Sequence, residues 1–178
     1  MIEYQQTIKG PFSVMGRGLH TGANARATIL PSAPNSGIKF CRVDLEKRPI
    51  IEAIATNVIE TTRGTVLSNG EASVSTVEHL MSALYAYGID NATIEIDGPE
   101  VPILDGSSLH FAVLLSKEET VKSNYLRPLF EVKEPIHHTD KESGSSIAIY
   151  PADNFSVEVM IDFNSKVLGY QTASYDPS

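Results

Sequence analysis

Apolar residues occur mainly in short runs of strand length, separated by glycine, proline and asparagine. Runs of this length between turn-forming residues are typical of β-strands. The clearest lies near the end of the chain, where valine, isoleucine and phenylalanine alternate with Glu158, Met160 and Asp162, the pattern of a strand with one buried side. Such strands usually pair in antiparallel sheets. We predict strands at Ala25–Leu30, Ile38–Val43, Thr93–Ile96, Leu129–Val132, Ser146–Tyr150 and Val157–Phe163.

Two segments are predicted to be helices. Ser75 and Glu78 have the spacing of a capping box, and Gly88 supplies a C-terminal stop, so we predict a helix from Ser75 to Tyr87. A second helix should follow Asp105-Gly-Ser107; it is apolar nearly all round and should be buried against a sheet. Helices and strands that do not alternate regularly favour an α+β fold, a two-layer sandwich of mostly antiparallel sheet with helices on one face.

The length of 178 residues exceeds the roughly 150 of one average domain. The polar stretch from Lys117 to Asn124, closed by Arg127-Pro128, is the predicted linker. Residues 1–127 would form one domain that carries the Glu-His helix, and residues 128–178 would begin a second. The second part has about three predicted strands and no helix, too little to bury a sheet face. We therefore interpret the chain as truncated inside its second domain.

Charge and cysteine content narrow the class of protein. Fourteen Lys and Arg against 22 Asp and Glu give a net charge of −8, which repels nucleic acid. The single Cys41 cannot form an internal disulfide and the N-terminus lacks the pattern of a secretory signal, which favours the cytoplasm. No apolar run reaches the ~18 to 20 residues of a membrane-spanning helix, although peripheral contact with lipid stays open.

The predicted first helix has two distinct faces. One face is an apolar stripe that should face the core. The other has one imidazole among small residues, which would let a second layer or a substrate approach the helix closely. The stripe is Val77, Leu80, Met81 and Leu84, and the other face is His79, Ser82, Ala83 and Ala86.

A structural interpretation and a chemical one compete for this helix. Glu78 can be only a capping carboxylate and His79 only a surface histidine. A carboxylate beside an imidazole also suits metal-assisted hydrolysis, because neutral imidazole binds zinc and a carboxylate that is not a ligand can take a proton from water.

Five motifs, spread over nearly the whole chain, resemble the UDP-3-O-acyl-N-acetylglucosamine deacetylase family. These zinc amidases act early in lipid A synthesis in Gram-negative bacteria. The motifs are Gly18-Leu-His-Thr-Gly22, Ser75-Thr-Val-Glu-His-Leu80, Gly88-Ile-Asp-Asn91, Pro102-Ile-Leu-Asp-Gly-Ser107 and Ile161-Asp-Phe-Asn164.

The resemblance implies specific roles. His79 matches the family's first zinc ligand, and Glu78 matches its general base, which takes a proton from the water that attacks the acetamide carbonyl. The implied substrate is a UDP-linked acylated amino sugar. The implied fold is a pair of similar α/β layer domains with the metal site between them, which agrees with the small-residue face of the helix.

One departure from the family pattern concerns the remaining zinc ligands. The family completes its site with His-x-x-x-Asp in the second domain, and none of the five histidines of this chain has an aspartate at that spacing. Catalytic zinc normally takes three protein ligands. We therefore expect the 178 residues alone to be inactive and to bind Zn²⁺ weakly, with the other ligands outside the chain.

Other candidates are weaker on spacing alone. His20 lies in a glycine-rich turn, and the resemblance places it near the site in an electrostatic or substrate-binding role. In Thr61-Thr-Arg-Gly64, Arg63 and Gly64 are candidates for binding the diphosphate. Asp105 is either a turn and cap residue or a supporting active-site residue. The pair His137-His138 precedes a predicted hairpin turn and should be solvated.

Two rival functions stay open. In one, the chain is a non-catalytic binding or assembly module in which the Ala83 and Ala86 face docks a partner. In the other, it is a cysteine or serine hydrolase that uses Cys41 or Ser107, which requires a histidine such as His110 within hydrogen-bond reach.

Overall fold

The computed structural model describes residues 4–176 and divides the chain into two compact units, Met1–Arg127 (unit 1) and Pro128–Ser178 (unit 2). Unit 1 contains ten strands and two α-helices among its described residues. They are β1 (Tyr4–Ile8), β2 (Phe12–Arg17), β3 (Asn24–Pro31), β4 (Ile38–Arg42), β5 (Ile50–Glu52), a 3₁₀ turn (Ala55–Asn57), β6 (Val58–Glu60), β7 (Val66–Ser68), β8 (Ser73–Ser75), α1 (Glu78–Ala86), β9 (Ala92–Ile96), α2 (Leu109–Leu115) and β10 (Thr120–Leu126).

A five-stranded sheet in the order β2-β3-β9-β4-β5 is the centre of unit 1. Its pairs are antiparallel except β4 and β9, which run parallel with Phe40 opposite Ile94. Strands β6, β7 and β8 form a separate antiparallel sheet, and β1 pairs with β10. The α+β class and the mostly antiparallel pairing predicted from the sequence are confirmed.

The core lies on one side of the central sheet. Along β9, Ala92, Ile94 and Ile96 are fully buried and alternate with partly exposed residues, as the period of two requires. Both helices add buried side chains to the same cluster, including Leu80 and Phe111. The helices therefore cover the apolar face of the sheet and leave its polar face to solvent.

Helix α1 begins three residues later than predicted. Ser75 ends strand β8, its hydroxyl donates to the Pro99 carbonyl, and the residue that precedes the helix is Val77, without a side-chain cap. The predicted capping box is therefore wrong. The predicted stop is confirmed, because Gly88 follows the helix with a φ of +65°, a conformation that glycine adopts without strain.

The second helix forms where predicted, but it is only half buried. Phe111 and Leu115 lie in the core, whereas Leu109 is 62% exposed and Val113 is 43% exposed. The predicted linker after it is wrong, since most of that polar stretch belongs to β10, which pairs with β1.

Two separate antiparallel hairpins make up the described part of unit 2, residues 128–176. The first pairs β11 (Ile136–Thr139) with β12 (Ser146–Ile149), and the second pairs β13 (Val157–Asp162) with β14 (Tyr170–Tyr175). The strands predicted at 146–150 and 157–163 are therefore present, but residues 129–132 form no strand. The predicted burial of one side of β13 is also wrong, because both of its faces are exposed.

No helix among residues 4–176 is long and apolar enough to span a membrane.

Candidate active site

The start of α1 presents a carboxylate and an imidazole side by side. The Glu78 Oε1 atom lies 3.9 Å from the His79 Nε2 atom, and the two side chains are 37% and 26% exposed. Residues 78 and 79 follow the buried Val77, so the turn of the helix places both at the edge of the core. The ring of His79 is therefore partly accessible and is not enclosed in the aliphatic core.

A loop of residues 61–65, called here the Arg63 loop, lies against Glu78. The backbone N–H of Thr65 donates to Glu78 Oε2 over 3.0 Å. A Cβ atom added to Gly64 would lie 3.5 Å from both Glu78 Oε1 and His20 Nε2, so this residue lies in van der Waals range of both side chains. Arg63 itself has a φ of +63° and is exposed to solvent.

Residues 18–22, called here the His20 turn, bring a second imidazole to the same loop. The turn is closed by a hydrogen bond from the Gly22 N–H to the Gly18 carbonyl over 3.1 Å. The His20 Nε2–H donates to the Arg63 carbonyl over 3.0 Å. His20, Gly64 and Glu78, which are far apart in sequence, therefore meet in one place, with His79 next to Glu78.

Glu100 lies behind this site and is only 1% exposed. Its carboxylate accepts hydrogen bonds from the backbone N–H groups of His20 and Thr21 over 2.9 and 2.8 Å. The hydroxyls of Thr21 and Thr76 donate to it over 2.7 and 2.9 Å. Burial alone would raise the pKa of Glu100, but these donors outweigh it and lower the pKa to about 2. The carboxylate is therefore held ionised.

The glycine at position 18 is explained by Glu100. A Cβ atom at Gly18 would collide with the Glu100 carboxylate and with the Thr21 hydroxyl. The absence of a side chain at residue 18 therefore makes room for the buried carboxylate.

Asp105 occupies a different environment. It accepts hydrogen bonds from the N–H and the hydroxyl of Ser107, which lower its pKa, and its Oδ2 atom lies 3.5 Å from His110 Nε2. No hydrogen bond within residues 4–176 joins Asp105 to Glu78 or His79. Of the two roles that the sequence allowed for Asp105, this geometry fits the turn residue.

The residues of the nucleophile alternative do not assemble. The Ser107 hydroxyl accepts the Leu109 N–H and donates to Asp105, and it makes no hydrogen bond to His110 in the described chain. Cys41 is buried in β4, and its thiol donates to the Arg48 carbonyl over 3.6 Å. His137 and His138 are exposed on β11, as expected.

The small-residue face of α1 is only partly as predicted. Ser82 and Ala86 are exposed, and the Ser82 hydroxyl lies 2.6 Å from that of Ser108. Ala83, however, is only 2% exposed and belongs to the core cluster, so its assignment to the outer face is wrong. Ala83 lies on the helix between the apolar stripe and the outer face, and its small side chain packs against the core.

A metal ion would find an incomplete set of ligands here. Within residues 4–176, no group of three or more His, Cys, Asp or Glu side chains could hold a metal ion. The imidazole of His79 fits as a single nitrogen ligand, whereas catalytic zinc normally takes three protein ligands.

Sequence reasoning missed Glu100, Thr76 and Thr65. A carboxylate in the proline-flanked run Gly98-Pro-Glu-Val-Pro102 has the local signature of a solvated turn, and Thr76 was assigned to the predicted helix. Thr76 is instead 2% exposed with a φ of +57°, which non-glycine residues seldom adopt. That unfavourable backbone conformation was not detectable from residue types.

Comparison with known proteins shows the family of this chain. The profile of the LpxC family, UDP-3-O-acyl N-acetylglycosamine deacetylase, matches residues 5–178, and the chain belongs to this family. The resemblance found in the five sequence motifs is thereby confirmed.

Individual relatives agree. The chain is 47% identical over 175 residues to the bifunctional enzyme LpxC/FabZ of Porphyromonas gingivalis, covering 98% of this chain and 38% of that protein. It is 40% identical over 174 residues to the UDP-3-O-acyl-N-acetylglucosamine deacetylase of Methylococcus capsulatus, covering 97% of this chain and 57% of that protein. A Geobacter deacetylase is 41% identical over 160 residues, 90% of this chain and 52% of its own. The chain thus spans between about a third and three fifths of these relatives.

Proposed function

We propose that this chain forms part of an enzyme of lipid A biosynthesis that hydrolyses the acetamide of a UDP-3-O-acyl-N-acetylglucosamine. The support is the family membership together with one structural observation. Glu78 and His79 lie side by side at the start of α1, and the Arg63 loop and the ring of His20 lie against them.

In this proposal Glu78 is the general base. Its Oε2 atom is occupied by the Thr65 N–H, which fixes the carboxylate, while the side chain stays 37% exposed. A carboxylate held in this way can accept a proton from a water molecule as that water attacks the amide carbonyl. The carbonyl carbon gains the oxygen, the C–N bond breaks, and the amine leaves with a proton.

His20 is proposed to act in catalysis through its ring, which points to the Arg63 loop. Arg63 and Gly64 are proposed to bind the substrate, because a guanidinium pairs with diphosphate oxygens and the glycine leaves the backbone close to the site. Asp105 is proposed to support the site indirectly, through the Ser107 turn that its carboxylate holds.

We propose that the enzyme depends on Zn²⁺ and that His79 is one of its ligands. Bound zinc would polarise the amide carbonyl and lower the pKa of a water molecule. The other ligands would come from outside this chain, and residues 128–178 would begin the second, similar domain that contributes them. The same proposal places the enzyme in the cytoplasm of a Gram-negative bacterium, with no nucleic-acid partner and with peripheral contact to lipid through its acylated substrate.

The test is Glu78→Gln in the protein produced from the complete reading frame. Glutamine keeps an oxygen for the Thr65 N–H, so the fold should persist, but it cannot accept a proton. We expect deacetylation to fall by about 10²- to 10⁴-fold, the usual contribution of a general base. Glu95→Gln, a carboxylate in an exposed ion pair with Arg48, is the matched control and should leave turnover unchanged.

The non-catalytic binding module predicts a different outcome. If Glu78 only holds the Arg63 loop, Glu78→Gln would leave turnover within about twofold, a loss of less than 0.5 kcal/mol of transition-state stabilisation. Such a result would overturn the assignment of Glu78 and favour the module.

The 178-residue chain gives a second test. A single imidazole should leave Zn²⁺ weakly bound and substrate unhydrolysed. Equilibrium dialysis against zinc and a deacetylation assay on the purified chain measure both. Tight binding of one zinc per chain, or turnover by the chain, would show that the ligand set proposed here is incorrect.

A further inference from the structure

Glu100 is a buried carboxylate whose hydrogen-bond donors within residues 4–176 are all neutral groups. In the part of the chain that the structure describes, no basic side chain forms an ion pair with it. Its four donors come from His20, Thr21 and Thr76, which lie 80, 79 and 24 residues away in sequence. An ionised carboxylate is costly to bury unless its oxygens are fully hydrogen-bonded. The arrangement therefore joins separate segments at one point.

The two segments that Glu100 joins are those that carry the candidate catalytic residues. One is the His20 turn, and the other is Thr76, two residues before Glu78. The backbone around Glu100 is itself fixed beside Ser75, whose N–H donates to the Pro99 carbonyl over 2.9 Å and whose carbonyl accepts the Val101 N–H over 3.1 Å.

These contacts close a ring. From Glu100, hydrogen bonds lead to the backbone of His20, and the His20 ring donates to the Arg63 carbonyl. The chain continues to Thr65, whose N–H donates to Glu78. From Glu78 the backbone returns to Thr76, whose hydroxyl donates to Glu100. Opening the ring at Glu100 would free the His20 turn from the start of α1.

We propose that Glu100 is a positioning residue of the active site, which holds His20 in place relative to Glu78. This inference rests on the proposed function, because it concerns the reaction that those residues perform. It assigns Glu100 no contact with substrate and no proton transfer.

The test in the protein from the complete reading frame is a double-mutant cycle of Glu100→Gln and His20→Ala. Glutamine puts an N–H₂ donor where only donors point, so at least one contact must break. Outer-shell hydrogen bonds that orient metal ligands cost about 10- to 100-fold in activity when removed, and we take that range for a bond that orients a catalytic side chain. We expect kcat to fall by that factor with KM within about threefold.

The cycle separates positioning from general stability. If Glu100 acts through His20, the double variant should be no slower than His20→Ala alone, because the two changes remove one function. Multiplying effects on kcat, or an unchanged kcat with a lowered Tm, would show a merely structural Glu100 and overturn the proposal. Glu95→Gln is again the matched carboxylate control.

A measurement that does not depend on activity keeps the two proposals distinguishable. In the 178-residue chain, amide hydrogen exchange at His20 and Thr21 should accelerate on Glu100→Gln, while exchange at Ile94 in β9 should not change. Unchanged exchange at His20 and Thr21 overturns the positioning inference. An inactive unmutated enzyme whose exchange behaves as expected would instead overturn the proposed function alone.

A gentler variant applies if Glu100→Gln does not fold. Thr76→Val keeps the shape of the side chain and removes one of the four donors. It should lower kcat several-fold and speed exchange at His20 less than Glu100→Gln would. A Thr76→Val protein with normal kcat and normal exchange at His20 would show that the hydrogen bonds of the ring do not hold His20 in place.

Discussion

Strand β9 in unit 1 and strand β13 in unit 2 have the same alternation of apolar and polar residues. In β9, Ile94 and Ile96 are fully buried, whereas in β13 Val159 and Ile161 are each 44% exposed. The difference is the layer above them: α1 and α2 cover the sheet of unit 1, and no helix occurs among residues 128–176. Alternation therefore predicts that a strand forms, but burial depends on a second layer supplied by other parts of the chain.

The largest expected difference between the units is in amide hydrogen exchange. Backbone hydrogen bonds under a packed core open only with much of the fold, whereas an isolated two-stranded hairpin is marginally stable. We expect amides of β9 to exchange at least about a thousandfold more slowly than amides of β13. Mass spectrometry of deuterium uptake measures this directly. Equal protection in the two strands would show that the hairpins of unit 2 are stable without a covering layer.

Two phenylalanines sharpen the same comparison. Phe111 in α2 is fully buried, whereas Phe130 in unit 2 is 84% exposed. Phe111→Ala should lower the free energy of unfolding by about 3 to 5 kcal/mol, because it leaves a cavity in the core. Phe130→Ala should change it by less than about 0.5 kcal/mol. Urea denaturation followed by far-UV circular dichroism provides both values, and similar losses would contradict the contrast between the units.

A smaller effect should appear as a dependence of the stability of unit 1 on pH. The pKa of Glu100 is lowered in the folded state from 4.5 to about 2, so its contribution is complete above pH 4.5 and is lost as the pH falls towards 2. That shift corresponds to about 3 kcal/mol of unfolding free energy. Urea unfolding between pH 6 and pH 2 should show the loss, and Glu100→Gln should reduce it. An equally steep dependence in Glu100→Gln would mean that other carboxylates cause it.

Local signals explain which elements could be predicted. The glycine after α1 and the apolar runs of β3, β4 and β9 are visible in the residue types alone. Strand β10 was missed because it is a largely exposed partner of β1, and its polar residues have the composition of a linker. Its assignment depends on β1, more than a hundred residues away.

The residues of the candidate site also differ in whether local sequence marks them. Glu78, His79 and His20 could be selected because motifs mark them. Glu100 could not, because its environment is built from donors in two other segments. The start of α1 was misplaced for a related reason: Ser75 pairs with residues near Glu100 as an extended chain, which overrides its local preference for capping a helix.

The collision that any side chain at Gly18 would make with the Glu100 carboxylate couples two positions far apart in the gene. Random mutagenesis of codon 18 alone should therefore return almost only glycine among functional clones. Alanine or serine at that codon should become acceptable only in clones that also relieve the contacts with both the Glu100 carboxylate and the Thr21 hydroxyl, so a side chain at residue 18 depends on changes at other positions of the site.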